Sequence, residues 1–181
     1  MVTIIFESHA TTADNEAGVA SGWNDAGLSQ SGTQQAKELG QRRRLDQFDA
    51  VFTSDLDRAF QTAILAFDGI TPNKLHIDWR LRVCNYGEFT GHHHREIDAQ
   101  KVERINSPYP GGGESYAQVV ARVRSFLGDL LQFYEDKSVL LIGHQTTQYC
   151  LEHLVNKVPL ETAIAPQWEW QPGWTYQLSA L

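Results

Sequence analysis

Val2-Thr3-Ile4-Ile5-Phe6-Glu7-Ser8-His9-Ala10-Thr11-Thr12-Ala13-Asp14-Asn15 is the stretch on which the fold turns. A short β-rich run, Val2 to Phe6, delivers His9 to the end of a strand, and in an open α/β sheet the carboxyl ends of strands face a ligand crevice. Ser138-Val139-Leu140-Leu141-Ile142 has the same composition and delivers His144 in the same way. Asp49-Ala50-Val51-Phe52-Thr53 reads as another strand, with Ser54 or Asp55 as the N-cap of a helix running to about Phe67. Arg58 falls in the first turn of that helix, where an anion meets both a guanidinium and the positive end of the helix dipole. Two imidazoles and one arginine at three strand ends can surround a phosphoryl group, with Arg58 forking onto two of its oxygens.

The same residues sit in motifs that resemble the histidine phosphatase superfamily, also called phosphoglycerate-mutase-like. His9 and Thr12 match its N-terminal signature, and Asn15 stands at its asparagine position. Gly22-Trp23-Asn24-Asp25-Ala26-Gly27-Leu28-Ser29-Gln30-Ser31-Gly32 follows the pattern Gly-Trp-x-Asp-x-x-Leu-Ser-x-x-Gly. The match continues through Ser54 to Ala63, Leu81 to Gly91, Gly113-Glu114-Ser115 and Gly143-His144. This resemblance implies an α/β fold, a three-layer α/β/α sandwich with a mostly parallel central sheet, formed by residues 1–181 as one domain. It also implies a phosphomonoesterase in which neutral His9 attacks phosphorus while Arg58, protonated His144 and Asn15 stabilise the oxygens. Ser8, Thr12, Asn15, Gly22 and Val83 are the expected substrate contacts, with no metal and no cofactor.

Two positions depart from the pattern. Where the family carries arginine before its nucleophile, this chain has Ser8, a neutral hydrogen-bonding group. In Leu81-Arg82-Val83-Cys84-Asn85-Tyr86-Gly87-Glu88, the alignment puts the proton-donating glutamate at Val83, which has no proton to give. Glu88 is the first substitute expected, with Glu7 and Glu114 behind it. The contrasting reading is a pseudoenzyme that binds phosphate or a sugar phosphate with little turnover. A phosphoglycerate mutase is less expected, because family mutases carry added substrate-covering segments.

Composition limits the partners. A net charge of −7 disfavours a general nucleic-acid binder, since such affinity comes from clustered cations. Hydrophobic residues make up 41% of 181, enough for a self-sufficient core. Two cysteines, Cys84 and Cys150, make neither a disulfide framework nor a metal knuckle, and no apolar run reaches membrane-spanning length. The expectation is a cytoplasmic protein whose partner is a small phosphorylated substrate or inorganic phosphate, of unspecified oligomeric state, with reduced thiols.

Elsewhere the chain reads more plainly. Ala10 to Ser31 is a polar loop before a helix whose last turn holds Arg42, Arg43 and Arg44, read as a solvated, dipole-complementing end. His92, His93 and His94 open a mobile-looking segment extending to Tyr109, and read as a solvated helix start, since consecutive helical positions diverge. Pro110 to Gly113 reads as a turn before a long helix, and Trp168, Trp170 and Trp174 as packing at the core or its rim. Thr175 to Leu178 is the candidate edge strand.

Overall fold

A computed structural model describes residues 1–181. Five strands form one sheet: β1 (Val2–Ser8), β2 (Ala50–Thr53), β3 (Leu75–Ile77), β4 (Ser138–Gly143) and β5 (Trp174–Leu178), in the order β3-β2-β4-β1-β5. The first four are parallel, and β5 closes one edge antiparallel to β1. Strand alternation divides the core between the two faces. Val2, Ile4 and Phe6 of β1 and Val139 and Leu141 of β4 join a cluster of 29 buried residues, which also takes in Val123, Phe126 and Leu130 of α5 (Tyr116–Phe133) and Leu151 of α6 (Gln145–Leu154). Val51, Leu140 and Ile142 face the other way and pack with Leu39 of α2 (Gln30–Arg42) and Ala63 of α3 (Asp57–Ala66). The result is the expected layering of helices on both faces of a mostly parallel sheet.

Several local readings change. The loop after β1 contains a short helix, α1 (Ala13–Glu16), capped by Thr12. The N-cap of α3 is Leu56 and not Ser54 or Asp55; the Ser54 hydroxyl lies 2.7 Å from His144 Nε2 and also accepts from the Leu56 amide at 3.4 Å, one residue short of the helix. The segment from His92 to Tyr109 is packed rather than loose. It forms α4 (His94–Asp98) and buries Ile97, Lys101, Ile105 and Tyr109. Pro110 to Gly113 does turn the chain into α5, with Ser115 as its N-cap, and α7 (Leu160–Ile164) leads toward β5. Cys84 and Cys150 are both free and buried. No helix is long and apolar enough to cross a membrane.

The three arginines after Leu39 do not form a solvated helix end. Glu7, on the β1 face turned toward α2, is completely buried and takes Arg43 Nε at 2.7 Å and Arg42 NH2 at 3.1 Å. A buried carboxylate needs such partners, since an unpaired one is strongly destabilising. Only Arg44 pairs at the surface, with Asp46.

Candidate active site

At the carboxyl ends of the adjacent strands β2, β4 and β1 the chain places Arg58, His144 and His9 in that order. All three line one cavity of about 680 Å³. The His9 amide extends the ladder to the carbonyl of Gly143 at 2.9 Å, and the two imidazole centroids lie 5.0 Å apart. His9 Nδ1 is 2.8 Å from the carbonyl of Ala10. A carbonyl only accepts, so Nδ1 carries the proton and Nε2 is left with a free lone pair. Burial, reinforced by the charge on Arg58, lowers the His9 pKa to about 3, so the ring is neutral at ordinary pH.

Arg58 is buried and held from behind. Its NH2 donates to the carbonyl of Gly22 at 2.7 Å and its NH1 to that of Asn24 at 3.1 Å, leaving its other N–H groups without partners in the protein. Gly22 has φ +53, and a Cβ there would lie 2.7 Å from the Thr90 hydroxyl, so glycine shapes the turn that aims this carbonyl. The contribution of Gly22 is thus its carbonyl on Arg58 as well as its place in the cavity wall.

His144 Nε2 lies 2.7 Å from Ser54 Oγ, while Nδ1 is buried without a partner. Burial, then the positive charge of Arg58, hold its pKa well below the ordinary histidine value. Nothing anionic in the chain faces the ring; the protonated His144 expected from the sequence concerns the site with a phosphate in place.

The remaining expected contacts divide. Ser8, Asn15 and Val83 line the cavity. Thr12 does not: its hydroxyl accepts from the Asn15 amide at 3.1 Å, and its own amide donates to Asn15 Oδ1 at 3.0 Å. Thr12 therefore orients Asn15, whose NH2 has no partner within the protein. Val83 presents its side chain to the cavity because its backbone is fixed behind it, the carbonyl accepting from Trp23 Nε1 at 2.7 Å and from Arg122 NH2 at 3.0 Å.

Glu88 is not brought to the site. The turn at Gly87 sends its side chain against Gly111, and it is absent from the cavity wall. The other two substitutes are also occupied elsewhere, Glu7 by Arg42 and Arg43, and Glu114 by Arg122 at 2.8 Å and the Asn85 amide at 2.9 Å.

Other residues reach the cavity unannounced. Glu38 and Arg42 arrive from α2, His94 and Asp98 from α4, and Trp168 and Trp170 from the approach to β5. Tyr86 also lines it, with a hydroxyl that bonds nothing in the protein and a pKa that burial pushes well above the usual phenol value. Only the last of the three consecutive histidines is helical, and they diverge: His92, before the helix, pairs with Glu96, His93 is the extended N-cap of α4, and His94 lines the cavity. The helical spacing of Ala36, Leu39 and Gly40 was a usable signal for α2, on which Glu38 and Arg42 lie one turn apart; Trp170, expected to pack at the core or its rim, is instead largely exposed and lines the cavity.

The residues from 4 to 172 match the model of histidine phosphatase superfamily branch 1. This chain belongs to the histidine phosphatase superfamily. It is 31% identical over 144 residues to an adenosylcobalamin/alpha-ribazole phosphatase of Salmonella typhimurium, covering 76% of this chain and 71% of that protein. It is 36% identical over 104 residues to a 2,3-bisphosphoglycerate-dependent phosphoglycerate mutase of Streptococcus agalactiae, a match that spans 55% of this chain and 45% of the mutase. Among solved structures it resembles a mycobacterial glucosyl-3-phosphoglycerate phosphatase complexed with VO3, with TM-score 0.75 and 28% identity, over 90% of this chain and 86% of that one. Phosphatases and mutases of this superfamily are thus its relatives, and its sheet and helices follow their fold.

Proposed function

We propose that this histidine phosphatase superfamily member is a phosphomonoesterase that passes the phosphoryl group of a small metabolite to His9 and then to water. The observation that carries this reading is the His9 hydrogen bond to Ala10: it fixes the tautomer, leaves Nε2 unprotonated, and aims it into a cavity that also holds the buried Arg58. An ester phosphate would face Nε2 with its oxygens on Arg58, the Asn15 NH2 and the Ser8 hydroxyl. Nε2 attacks phosphorus as the P–O bond to the leaving group breaks, and the electron pair departs with the leaving oxygen. Water then displaces His9, giving inorganic phosphate.

A bound dianion changes His144. Its charge opposes that of Arg58, so the imidazole takes up a proton that the free site denies it and donates from Nδ1 to a phosphate oxygen. This reading requires no metal. Mutase activity is less favoured, because the similarity to the mutase covers under half of that protein.

Val83 supports a second reading, a phosphate-binding protein with slow turnover. Its methyl groups occupy the place the family motif gives to an acid, and the expected substitutes Glu88, Glu7 and Glu114 are all directed elsewhere. The carboxyls on the cavity wall come from other elements, Glu38 on α2 and Asp98 on α4, the latter paired with Lys101 at 2.6 Å. Trapping acid-labile phosphate on the chain during turnover separates the two. Labelling that disappears in His9→Ala establishes the covalent route, and turnover with no label, or near-full turnover of folded His9→Ala, rejects it.

A further inference from the structure

The phosphoryl group needs only the end of the cavity formed by His9, Arg58 and His144. The rest has a different lining: Gln35, Glu38 and Arg42 from α2, and Gln167, Trp168 and Trp170 from the segment before β5. Trp170 is 57% exposed, an uncommon position for a large indole, and it lines this cavity. Trp168 stacks at 5.9 Å on Trp174, the first residue of β5, so the segment is anchored to the sheet just beyond Trp170.

A single buried group fixes both walls. Glu7 binds Arg42, which lines the cavity and lies 5.9 Å from the centre of the Trp170 ring. Glu7 also binds Arg43, whose NH2 donates to the carbonyl of Pro172 at 3.1 Å. Gly173, at φ +87, lets the chain pass so closely that a Cβ would lie 2.8 Å from Glu7 Oε1. The indole and the end of α2 are therefore set against each other by one carboxylate.

The charge on this wall is nearly balanced. Arg42 is matched by Glu7, and Glu38 stands one turn away, so a carboxylate-bearing leaving group would find no uncompensated cation. What the wall offers is an indole, the amide of Gln167 and the NH2 group of Gln35, whose oxygen already accepts from the Thr11 amide at 3.0 Å; such groups read the hydrogen-bonding edge of a neutral molecule.

From this juxtaposition we infer that Trp170 and the amides beside it form the leaving-group subsite, and that the substrate is the phosphate ester of an uncharged, ring-bearing alcohol. A ring face stacks on Trp170 while its polar edge meets Gln35 and Gln167; acyclic acidic esters such as phosphoserine and phosphoglycerate are disfavoured. This deepens the phosphatase reading and rests on it. The ring can be aromatic or saturated, and the test distinguishes the two.

The full chain is assayed on adenosine 5′-monophosphate, glucose 6-phosphate, phosphoserine and 3-phosphoglycerate, and the same esters are titrated calorimetrically into His9→Ala. The expected result is a kcat/KM for one of the ring-bearing esters at least tenfold above both acyclic ones. Trp170→Ala should lower that ratio by about tenfold, the size of a lost stacking contact, and Trp170→Phe should largely restore it. Preference for the nucleotide identifies an aromatic ring and preference for the sugar a saturated one. A preference for phosphoserine or phosphoglycerate, or a ratio unmoved by Trp170→Ala, overturns the subsite while leaving the phosphatase reading intact. Should no ester be hydrolysed, the phosphatase reading fails, and the calorimetric ranking alone decides the subsite: tighter binding of ring-bearing esters supports it, and equal or absent binding overturns it.

Discussion

Replacing Val83 with glutamate puts a carboxyl where the chain now offers methyl groups to the cavity. The peptide that follows Val83 is held at both of its polar groups, by Trp23 Nε1 and Arg122 on the Val83 carbonyl and by Thr146 Oγ1, which accepts from the Cys84 amide at 3.1 Å. The longer side chain therefore extends into the cavity without displacing the loop. Burial at this site, where Val83 is only 7% exposed, raises a carboxyl pKa and keeps a fraction protonated near neutrality, while Arg58 pulls the other way. General acid catalysis contributes about 10²–10⁴-fold, or roughly 3–5 kcal/mol of barrier. The cost to folding is about 1–3 kcal/mol for burying a polar group, within reach of a stable domain.

The assay compares kcat for glycerol phosphate, whose alkoxide leaves poorly, with nitrophenyl phosphate, whose phenolate leaves unaided. Val83→Glu should raise the first by up to about 10²–10⁴-fold and change the second little. The gain should also fall as pH rises through the pKa of the new carboxyl, on the alkyl ester alone. Equal rates for parent and variant on both esters, in proteins with matching thermal transitions, would refute the assignment of this position to the leaving-group oxygen.

Glu88→Gln should leave both rates within about twofold, because Glu88 packs on Gly111; a large loss in a steady-state assay would show that the turn at Gly87 opens during catalysis. Vanadate or phosphate at about one hundred times its Kd should stabilise the fold by about 2.7 kcal/mol, seen as a thermal shift of roughly 5–10 °C, and Arg58→Ala should abolish the shift. Stability should fall as pH drops from about 6.5 toward 3, since there the unfolded His9 binds a proton that the folded ring, with its pKa near 3, refuses. The loss from this one group is at most about 4–5 kcal/mol, and urea titrations of His9→Gln should show a shallower decline over that window. Glu7→Gln should destabilise by roughly 1–3 kcal/mol, less than a fully buried pair, because Arg42 and Arg43 keep some contact with water; an unchanged urea midpoint would deny Glu7 its structural role.

The parts of the molecule that could be read from the sequence are those set by local pattern. The β1 and β4 runs advertise themselves as short apolar, β-rich stretches, the turn before α5 through its glycines and β5 through its alternation, and the strand ends carry His9, Arg58 and His144 with them. What escaped was the direction of single side chains in irregular segments. Glu88 and Val83 lie in one loop, yet a positive-φ glycine between them sends one to the cavity and the other to Gly111. Ser54 looked like a helix cap because serine before a helix usually is one, but the cap position falls two residues later and the hydroxyl also meets a histidine arriving from a strand remote in sequence.

Arg42 and Arg43 show the same limit from the opposite side. Their position at a helix end is sufficient for a dipole argument, and composition offers no reason to look further. Their partner is Glu7, on a strand that reads as apolar, where a single charged residue of period two faces α2. A carboxylate completely buried on a central strand has to be matched, and only residues delivered by another layer can match it. Because those residues then form one wall of the cavity and steady the other, the burial of Glu7 links the core to substrate recognition. Arg42 stands in the same cavity, but its charge is matched by Glu7, so it does not replace the cation missing at Ser8, and Arg58 is left as the guanidinium at the phosphoryl end.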